Sequence, residues 1–530
     1  MIWKLRQVEE AAVYRANGVW LDRTLADDAR DWAERDSLRD IFIGGDRPIT
    51  CADVLSDAEN LSAALQELGI QQGDCISLMV PNWPEAGVVN LAAALMGFVI
   101  NPIVPIYRDA ETRFILRDCR SRAMIIPTSF RGFDYAAMLQ RIAADLPELR
   151  HIITMRGTSE GTIAYEDLLE SGKRRPTSCP NVDPDGLKMV MYTSGTTGAP
   201  KAVLHSHNTL ARAVHASAAH WAIGSDDVVL MPSPVTHVSG YSNGLERPFQ
   251  SGTQTVLMES WNADQAVTLI DRYNCSMTVA ATPFLQELVD AAERNESRLP
   301  SFRVFACGGA AVPPELIEKA NRSFAHACAF RVYGSSEAPF VTLGATPTDP
   351  PEMARDTDGR VVDYQVRLIG EDGKDTAEGE IIVKGPALFL GYGDPEQTAE
   401  SFTDDGYFTT GDIGRFDENG GLVITGRKKD LIIRGGENIS PKEIEDALHR
   451  HPEIIEAAVV SAPHPRLGEG VFAFLILREG CSASVDELGT FLTGQGLARQ
   501  KCPERIAVVD DFPRTASGKV RKDQLRALIS

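Results

Sequence analysis

At 530 residues the chain is too long for one ordinary hydrophobic core, so two or more domains are expected. Its 43% hydrophobic and 24% charged content is that of a globular enzyme. The net charge of −21 argues against nucleic acid or anionic lipid as a partner, while leaving room for a nucleotide in a locally positive site.

Nine cysteines, at 51, 75, 119, 179, 275, 307, 328, 481 and 502, are dispersed, and none forms a C-x-x-C pair. This usage predicts a reducing, cytoplasmic setting with neither a disulfide frame nor a zinc site. The first ten residues lack the apolar stretch of a signal peptide. The longest uncharged run, 86–107, is interrupted by Asn90, Asn101, Pro102 and Pro105. Its continuous apolar part, 91–100, is too short to span a bilayer, and no integral membrane segment is expected.

In chain order, residues 51–68 carry Val54, Ala58, Leu61, Leu65 and Leu68 at alternating spacings of four and three, with Gly69 behind them. That pattern predicts an amphipathic helix closed by a C′ glycine. A buried strand at 75–80, a helix at about 85–97 and a strand at 99–104 follow. The alternation recurs through 120–160, 226–258 and 276–306, and 187–192 reads as a further buried strand. Helices alternating with near-continuous apolar strands predict an α/β fold of parallel, doubly wound sheets. Short strands at 365–369, 379–383 and 421–425, separated by turn clusters, predict a small antiparallel unit. The charged stretch 426–430 begins with glycine and suits an exposed junction. Beyond it, Ser440, Pro441 and Glu443 have the spacing of a capping box with proline at the first helical position, ahead of Ile444, Ala447 and Leu448. Strands at 457–460 and 471–477 come next, then a last helix with Leu525, Leu528 and Ile529 on one face. The expected organisation is a large N-terminal domain over 1–425, a hinge over 426–430 and a smaller, mobile α+β domain over 431–530.

The stretch with the clearest chemistry is Tyr192-Thr-Ser-Gly-Thr-Thr-Gly-Ala-Pro-Lys201. A buried strand opening into glycines and hydroxyls, with one lysine on the far side, provides what a polyphosphate requires. Glycine lets backbone N–H groups approach, hydroxyls add donors, and the ammonium neutralises charge. It is not a Walker A loop, which needs a Gly-Lys pair. A flexible linker would have similar composition, but linkers rarely continue straight into an apolar run such as 202–204. The stretch resembles the phosphate loop of the adenylate-forming superfamily, which holds acyl-CoA synthetases, peptide-synthetase adenylation domains and luciferases; Ala202 stands where that superfamily often has glycine.

Further segments resemble the same superfamily in the right order, from about residue 49 to 525. The resemblance implies that Thr193, Ser194, Gly195, Thr196, Thr197, Gly198 and Lys201 hold the phosphates, with Thr196 also a metal ligand. Tyr333-Gly-Ser-Ser-Glu337 is similar to its Y-G-x-T-E segment, with Ser336 for threonine. Tyr333 and Gly334 are then set against adenine, Ser335 and Ser336 near the α-phosphate, and Glu337 on Mg2+. Gly308 and Gly309 match the glycine loop between nucleotide and acyl pocket. Asp412, in a T-G-D segment, and Arg427 match the ribose-binding pair. Lys429 falls at the pivot of the hinge, and Gly435, Gly436 and Glu437 fall in the loop that lines the CoA tunnel. Lys519, in Pro513-Arg-Thr-Ala-Ser-Gly-Lys519, matches the lysine delivered to the developing charge on carboxylate and α-phosphate. His237, Val238 and Tyr241 match the acyl pocket. No aspartate lies between Met231 and Leu245 to pair a substrate ammonium, which disfavours an amino acid. His205, His207, His215 and His220 show no metal-ligand grouping and are read as packing or surface.

The implied activity is that of an ATP-, Mg2+- and coenzyme A-dependent carboxylic acid–CoA ligase, with Lys519, Glu337, Lys201 and His237 as the catalytic set. The 231–241 segment is most similar to bacterial ligases for alicyclic or medium-chain acids, cyclohexanecarboxylate–CoA ligases among them. An adenylation enzyme loading a carrier protein, or a long-chain fatty acid–CoA ligase, would share the same motifs.

Overall fold

The computed structural model describes residues 3–45, 47–173, 179–193, 200–309, 312–326, 329–515 and 519–529, with backbone alone at position 47. Two seven-stranded sheets form the large lobe. One runs Ala329–Val332, Val304–Gly308, Met277–Ala280, Val228–Met231, Gln254–Leu257, Asp40–Gly44 and Arg47–Thr50 from edge to edge. The other runs Lys201–Ser206, Leu187–Thr193, Val99–Pro102, Cys75–Leu78, Ala123–Pro127, His151–Met155 and Ile163–Ala164. Neighbours are parallel except for one hairpin at an edge of each sheet. The doubly wound α/β expectation holds.

The helix Pro84–Met96 explains the uncharged run. Every residue in it except Glu85 is buried, so it needs no polar face. Gly87 lies so close to Phe42 of the first sheet that a Cβ there would stand 2.2 Å from Phe42 Cε2. Against it packs Cys51–Glu67, whose N-terminus is closed by Thr50 and Asp53 in a reciprocal capping box. Val54, Ala58, Leu61 and Leu65 form its buried stripe. Among the described residues no helix is long and apolar enough to cross a membrane.

A four-stranded antiparallel sheet follows: Gln365–Ile369, Glu378–Lys384, Phe408–Phe416 and Leu422–Arg427. Phe408–Phe416 was not foreseen as a strand, because its T-G-D core looks like turn chemistry. The small lobe is built on Glu437–Ile439, Ile432–Arg434, Gly468–Leu477 and Ile454–His464, with Arg505–Val508 added parallel to Gly468–Leu477.

Two local expectations are corrected in this lobe. The capping box at Ser440 does not form. Pro441 does open the helix Pro441–Leu448, but the Ser440 hydroxyl donates to the Thr425 carbonyl across the lobe boundary, and Glu443 pairs with Lys501 Nζ at 2.6 Å. At the C-terminus, the helix Lys522–Ala527 buries Leu525 and Ile529 packs beyond its end against the same cluster, whereas Leu528 is 65% exposed. A six-residue helix is too short to carry the three-residue apolar face that was expected.

Candidate active site

Thr193 and Lys201 are register partners at the base of the hairpin between Leu187–Thr193 and Lys201–Ser206. Ser194, Gly195, Thr196, Thr197 and Gly198 lie outside the described residues. Lys201 sets its ammonium over the Tyr392 ring, 4.7 Å from the centroid. The Tyr392 hydroxyl donates to Glu337 Oε1 at 2.9 Å, so Tyr392 couples the lysine of one motif to the carboxylate of another. Nothing in the sequence marked Tyr392, since 55 residues separate it from Glu337.

The turn after Ala329–Val332 is steric in origin. A Cβ on Gly334 would stand 2.6 Å from the Phe340 nitrogen, and Ser335 closes the turn by exchanging hydrogen bonds with Ala338. His205 Nε2 sits 2.7 Å from the Ser336 carbonyl oxygen and fixes that residue from beneath. Burial pushes His205 down to about 4, so its imidazole is neutral. His205 thus packs, as expected, but against the site itself. Gly308 is needed where Val304–Gly308 meets Ala329–Val332, since a Cβ would stand 2.5 Å from the Val332 carbonyl.

Asp412 unites three motifs. Its Oδ2 accepts from the Tyr333 hydroxyl at 2.8 Å, and its Oδ1 pairs with Arg427 Nε at 2.9 Å. Burial, then the Asp412 charge, push the Tyr333 hydroxyl well above its usual range. Lys519 reaches this cluster from the small lobe, its Cε 3.9 Å from where a Gly309 Cβ would be. Gly309 has φ +85°, a conformation that favours glycine. Burial and then Arg427 push the Lys519 ammonium down, while Asp412 and Glu337 pull it up. His237 is close enough to feel Lys519: burial first, then that ammonium, push its imidazole down to about 4. Val238 is buried at 8% exposure, and Tyr241 is fully buried with its hydroxyl on Asn90 Oδ1 at 2.5 Å.

Around the hinge the side chains divide. Lys428 Nζ pairs with Glu380 of the four-stranded sheet at 2.8 Å, whereas Asp430 pairs with Arg526 of the small lobe at 2.7 Å. Lys429 lies between, pushed down by burial and by Arg427. Gly435, Gly436 and Glu437 are not gathered with the others. The two glycines, at φ +61° and +92°, turn the exposed hairpin between Ile432–Arg434 and Glu437–Ile439. The next residue, Asn438, donates to Glu371 at 3.1 Å on the outside of the large lobe.

The described residues include no group of three or more His, Cys, Asp or Glu able to hold a metal ion. The 333–337 motif offers one carboxylate, Glu337. That donor set fits Mg2+, which keeps waters and is held by one or two carboxylates with substrate phosphates.

This fold and this cluster define an adenylate-forming enzyme: two parallel sheets, a small second lobe, and a lysine from that lobe entering beside acidic and aromatic side chains. The comparisons agree. Residues 25–393 match the family model described as AMP-binding enzyme, and 443–519 match the AMP-binding enzyme C-terminal domain. A medium-chain fatty-acid–CoA ligase of Escherichia coli strain K12 is 32% identical over 532 residues, covering 98% of this chain and 92% of that protein. A 2,3-dihydroxybenzoate-AMP ligase of Bacillus subtilis strain 168 is 31% identical over 530 residues, covering 98% and 96%. The crystal structure of ATP-bound MatB from Rhodopseudomonas palustris superposes with a TM-score of 0.85 at 27% identity, covering 96% of this chain and 99% of that one. The chain belongs to the AMP-binding enzyme family, on its acyl-CoA synthetase branch.

Proposed function

We propose that this enzyme is a carboxylic acid–CoA ligase for an alicyclic or medium-chain acid, working in two half-reactions. A carboxylate oxygen of the acid attacks the α-phosphorus of ATP, the bond to the bridging oxygen breaks, and pyrophosphate leaves. The CoA thiolate then attacks the acyl carbonyl carbon and AMP leaves. Glu337 would hold Mg2+ together with the phosphates, and the ion would supply neutralising charge to the leaving group. Lys519 serves the first step, giving a hydrogen bond and a positive charge to the oxygens shared by carboxylate and α-phosphate. His237, neutral at physiological pH, borders the acid without adding a second charge. Asp412 has lone pairs left to accept from ribose hydroxyls while Arg427 and Tyr333 hold its orientation. Lys201 and residues 193–198 are assigned to the phosphates by resemblance.

The observation that carries this reading is the placement of Lys519, a small-lobe residue, against Gly309 and within reach of the charges of Glu337, Asp412 and Arg427 of the large-lobe motifs. Lys519→Ala is expected to lower acid-dependent pyrophosphate exchange at least ~100-fold, the scale of losing one donor to developing charge. Thioester formation from supplied acyl-AMP should stay near wild type. Equal loss in both assays would remove the assigned role. A screen of acids with pyrophosphate readout tests the substrate class, and release with amino acids alone would overturn it.

The likeness to a Mycobacterium tuberculosis protein named salicyl-AMP ligase / salicyl-S-ArCP synthetase, 31% identical over 533 residues, favours one second reading, transfer of the acyl group to a carrier-protein thiol. Free CoA separates the two. Acid-dependent pyrophosphate release that CoA never converts to thioester would favour the carrier.

A further inference from the structure

The helix after His237 carries a charge that the surrounding protein leaves unbalanced. Tyr241–Glu246 is wound as a π-helix, and Arg247–Ser251 continues it as α-helix. Arg247 is 0% exposed. Its Nε donates to Asn243 Oδ1 at 3.1 Å, and its Nη2 donates to Asn243 Oδ1 at 2.8 Å and Ser217 Oγ at 2.5 Å. Nη1, with two N–H groups, has no partner among the described residues. No described carboxylate forms an ion pair with Arg247; neighbouring Glu246 is taken up by Lys188 and by Asn90 Nδ2 at 2.6 Å. Asp227, the acidic group whose charge reaches it, is held by Arg303 at 2.7 Å. Burial lowers the Arg247 guanidinium to about 9, which still leaves a cation at neutral pH.

A buried cation with two idle donors is costly unless something else meets them. Hydrogen bonds and ring contacts link Arg247 to the proposed acyl pocket and to the Glu337 turn. From His237, Nδ1 is 3.1 Å from Ser239 Oγ, the Ser239 carbonyl accepts from Asn243 Nδ2 at 2.8 Å, and Asn243 Oδ1 accepts from Arg247. From the Glu337 turn, Phe340 packs edge-on against Trp221 at 5.4 Å, and the Arg247 guanidinium lies 5.7 Å from the Trp221 ring. Ser242, in the same π-helical segment, also buries a hydroxyl without a partner.

We propose that Arg247 reads the far end of the acid: the substrates are carboxylic acids bearing an acceptor oxygen, an oxo group or a second carboxylate, remote from the carboxylate that is activated. This rests on the ligase reading above and specifies its substrate class. Each of the two Nη1 N–H groups can donate to an acceptor oxygen, whereas a hydrocarbon end leaves them unmet.

The test uses the full chain with ATP and Mg2+ and matched acids: cyclohexanecarboxylate, 4-oxocyclohexanecarboxylate and cyclohexane-1,4-dicarboxylate, then octanoate, 7-oxooctanoate and octanedioate. Pyrophosphate release gives kcat/KM for each, and the two oxygenated arms tell oxo group from carboxylate. At least one oxygenated acid is expected to exceed its hydrocarbon twin about tenfold or more, and Arg247→Met to erase or invert that ratio. A wild-type preference for the hydrocarbon twins, or an Arg247→Met ratio equal to wild type, overturns the proposal and leaves Arg247 a structural cation. Should Arg247→Met fail to fold, Arg247→Lys decides, since it keeps the charge but removes the Nη1 donors and should cut the preference. Release with hydrocarbon acids only refutes this inference alone; no release with any acid refutes the ligase reading as well.

Discussion

Glu337 takes the Tyr392 hydroxyl on one oxygen, and the Tyr392 ring in turn faces the Lys201 ammonium. A hydrogen bond to a charged group contributes about 1.5–3 kcal/mol, and here its effect is to aim the carboxylate proposed to bind the metal. Tyr392→Phe should therefore raise the Mg2+ concentration needed for half-maximal pyrophosphate exchange by about tenfold. Mn2+ binding to the enzyme–ATP complex, followed by electron paramagnetic resonance, should weaken in parallel; unchanged metal dependence would reduce Tyr392 to packing. His205 makes a prediction about stability. Its folded value of about 4 lies below the ordinary 6.5, so between these pH values the unfolded chain binds the proton and the native one does not. The contribution is complete above pH ~6.5 and is lost as pH falls toward ~4, on the order of 3 kcal/mol in all. The difference in thermal midpoint between wild type and His205→Gln should accordingly narrow from pH 7 to pH 5. A constant difference would mean the His205 imidazole titrates in the fold as it does in the unfolded chain.

Among the elements, the helix Pro84–Met96 is the one whose placement the large lobe depends on, since it packs against Cys51–Glu67 and both large sheets. Gly87→Ala places a methyl 2.2 Å from the Phe42 ring. Overpacking of this kind costs typically 1–3 kcal/mol. Urea unfolding of Gly87→Ala should show that loss, and Phe42→Leu in the same chain should recover part of it. Full stability of Gly87→Ala would mean the helix slides freely over its sheet. The capping box at Ser440 shows how a local pattern yields to a tertiary one. Its hydroxyl could accept from the Glu443 N–H, but in the fold it donates across the lobe boundary to the Thr425 carbonyl.

For the whole molecule, the placement of Lys519 and of the 435–437 hairpin is one consistent pose. The lysine is with Glu337 and Asp412, and the hairpin is at the periphery, which is the arrangement proposed for acid activation. In the proposed mechanism, change to the second half-reaction would pivot between Lys428, held by Glu380, and Asp430, held by Arg526. Lys429→Pro fixes φ at that single position. It should leave acid-dependent pyrophosphate exchange within about threefold of wild type while lowering thioester formation from supplied acyl-AMP at least ~10-fold. Loss of both activities together would place the pivot elsewhere.

The sequence by itself determined the sheet-forming alternation of the large lobe, the antiparallel unit, and the motifs around Tyr333, Asp412 and Lys519. Those signals are periodicities and short spacings, which one local stretch of chain can carry. Tertiary structure alone decided that Tyr392 serves Glu337, that His205 supports Ser336, that Ser440 bonds Thr425 rather than its own helix, and that Arg247 is buried with idle donors. Each of these is a contact between residues distant in the chain, or a choice between partners, and only packing brings the partners within hydrogen-bonding range and removes the water that would otherwise satisfy them.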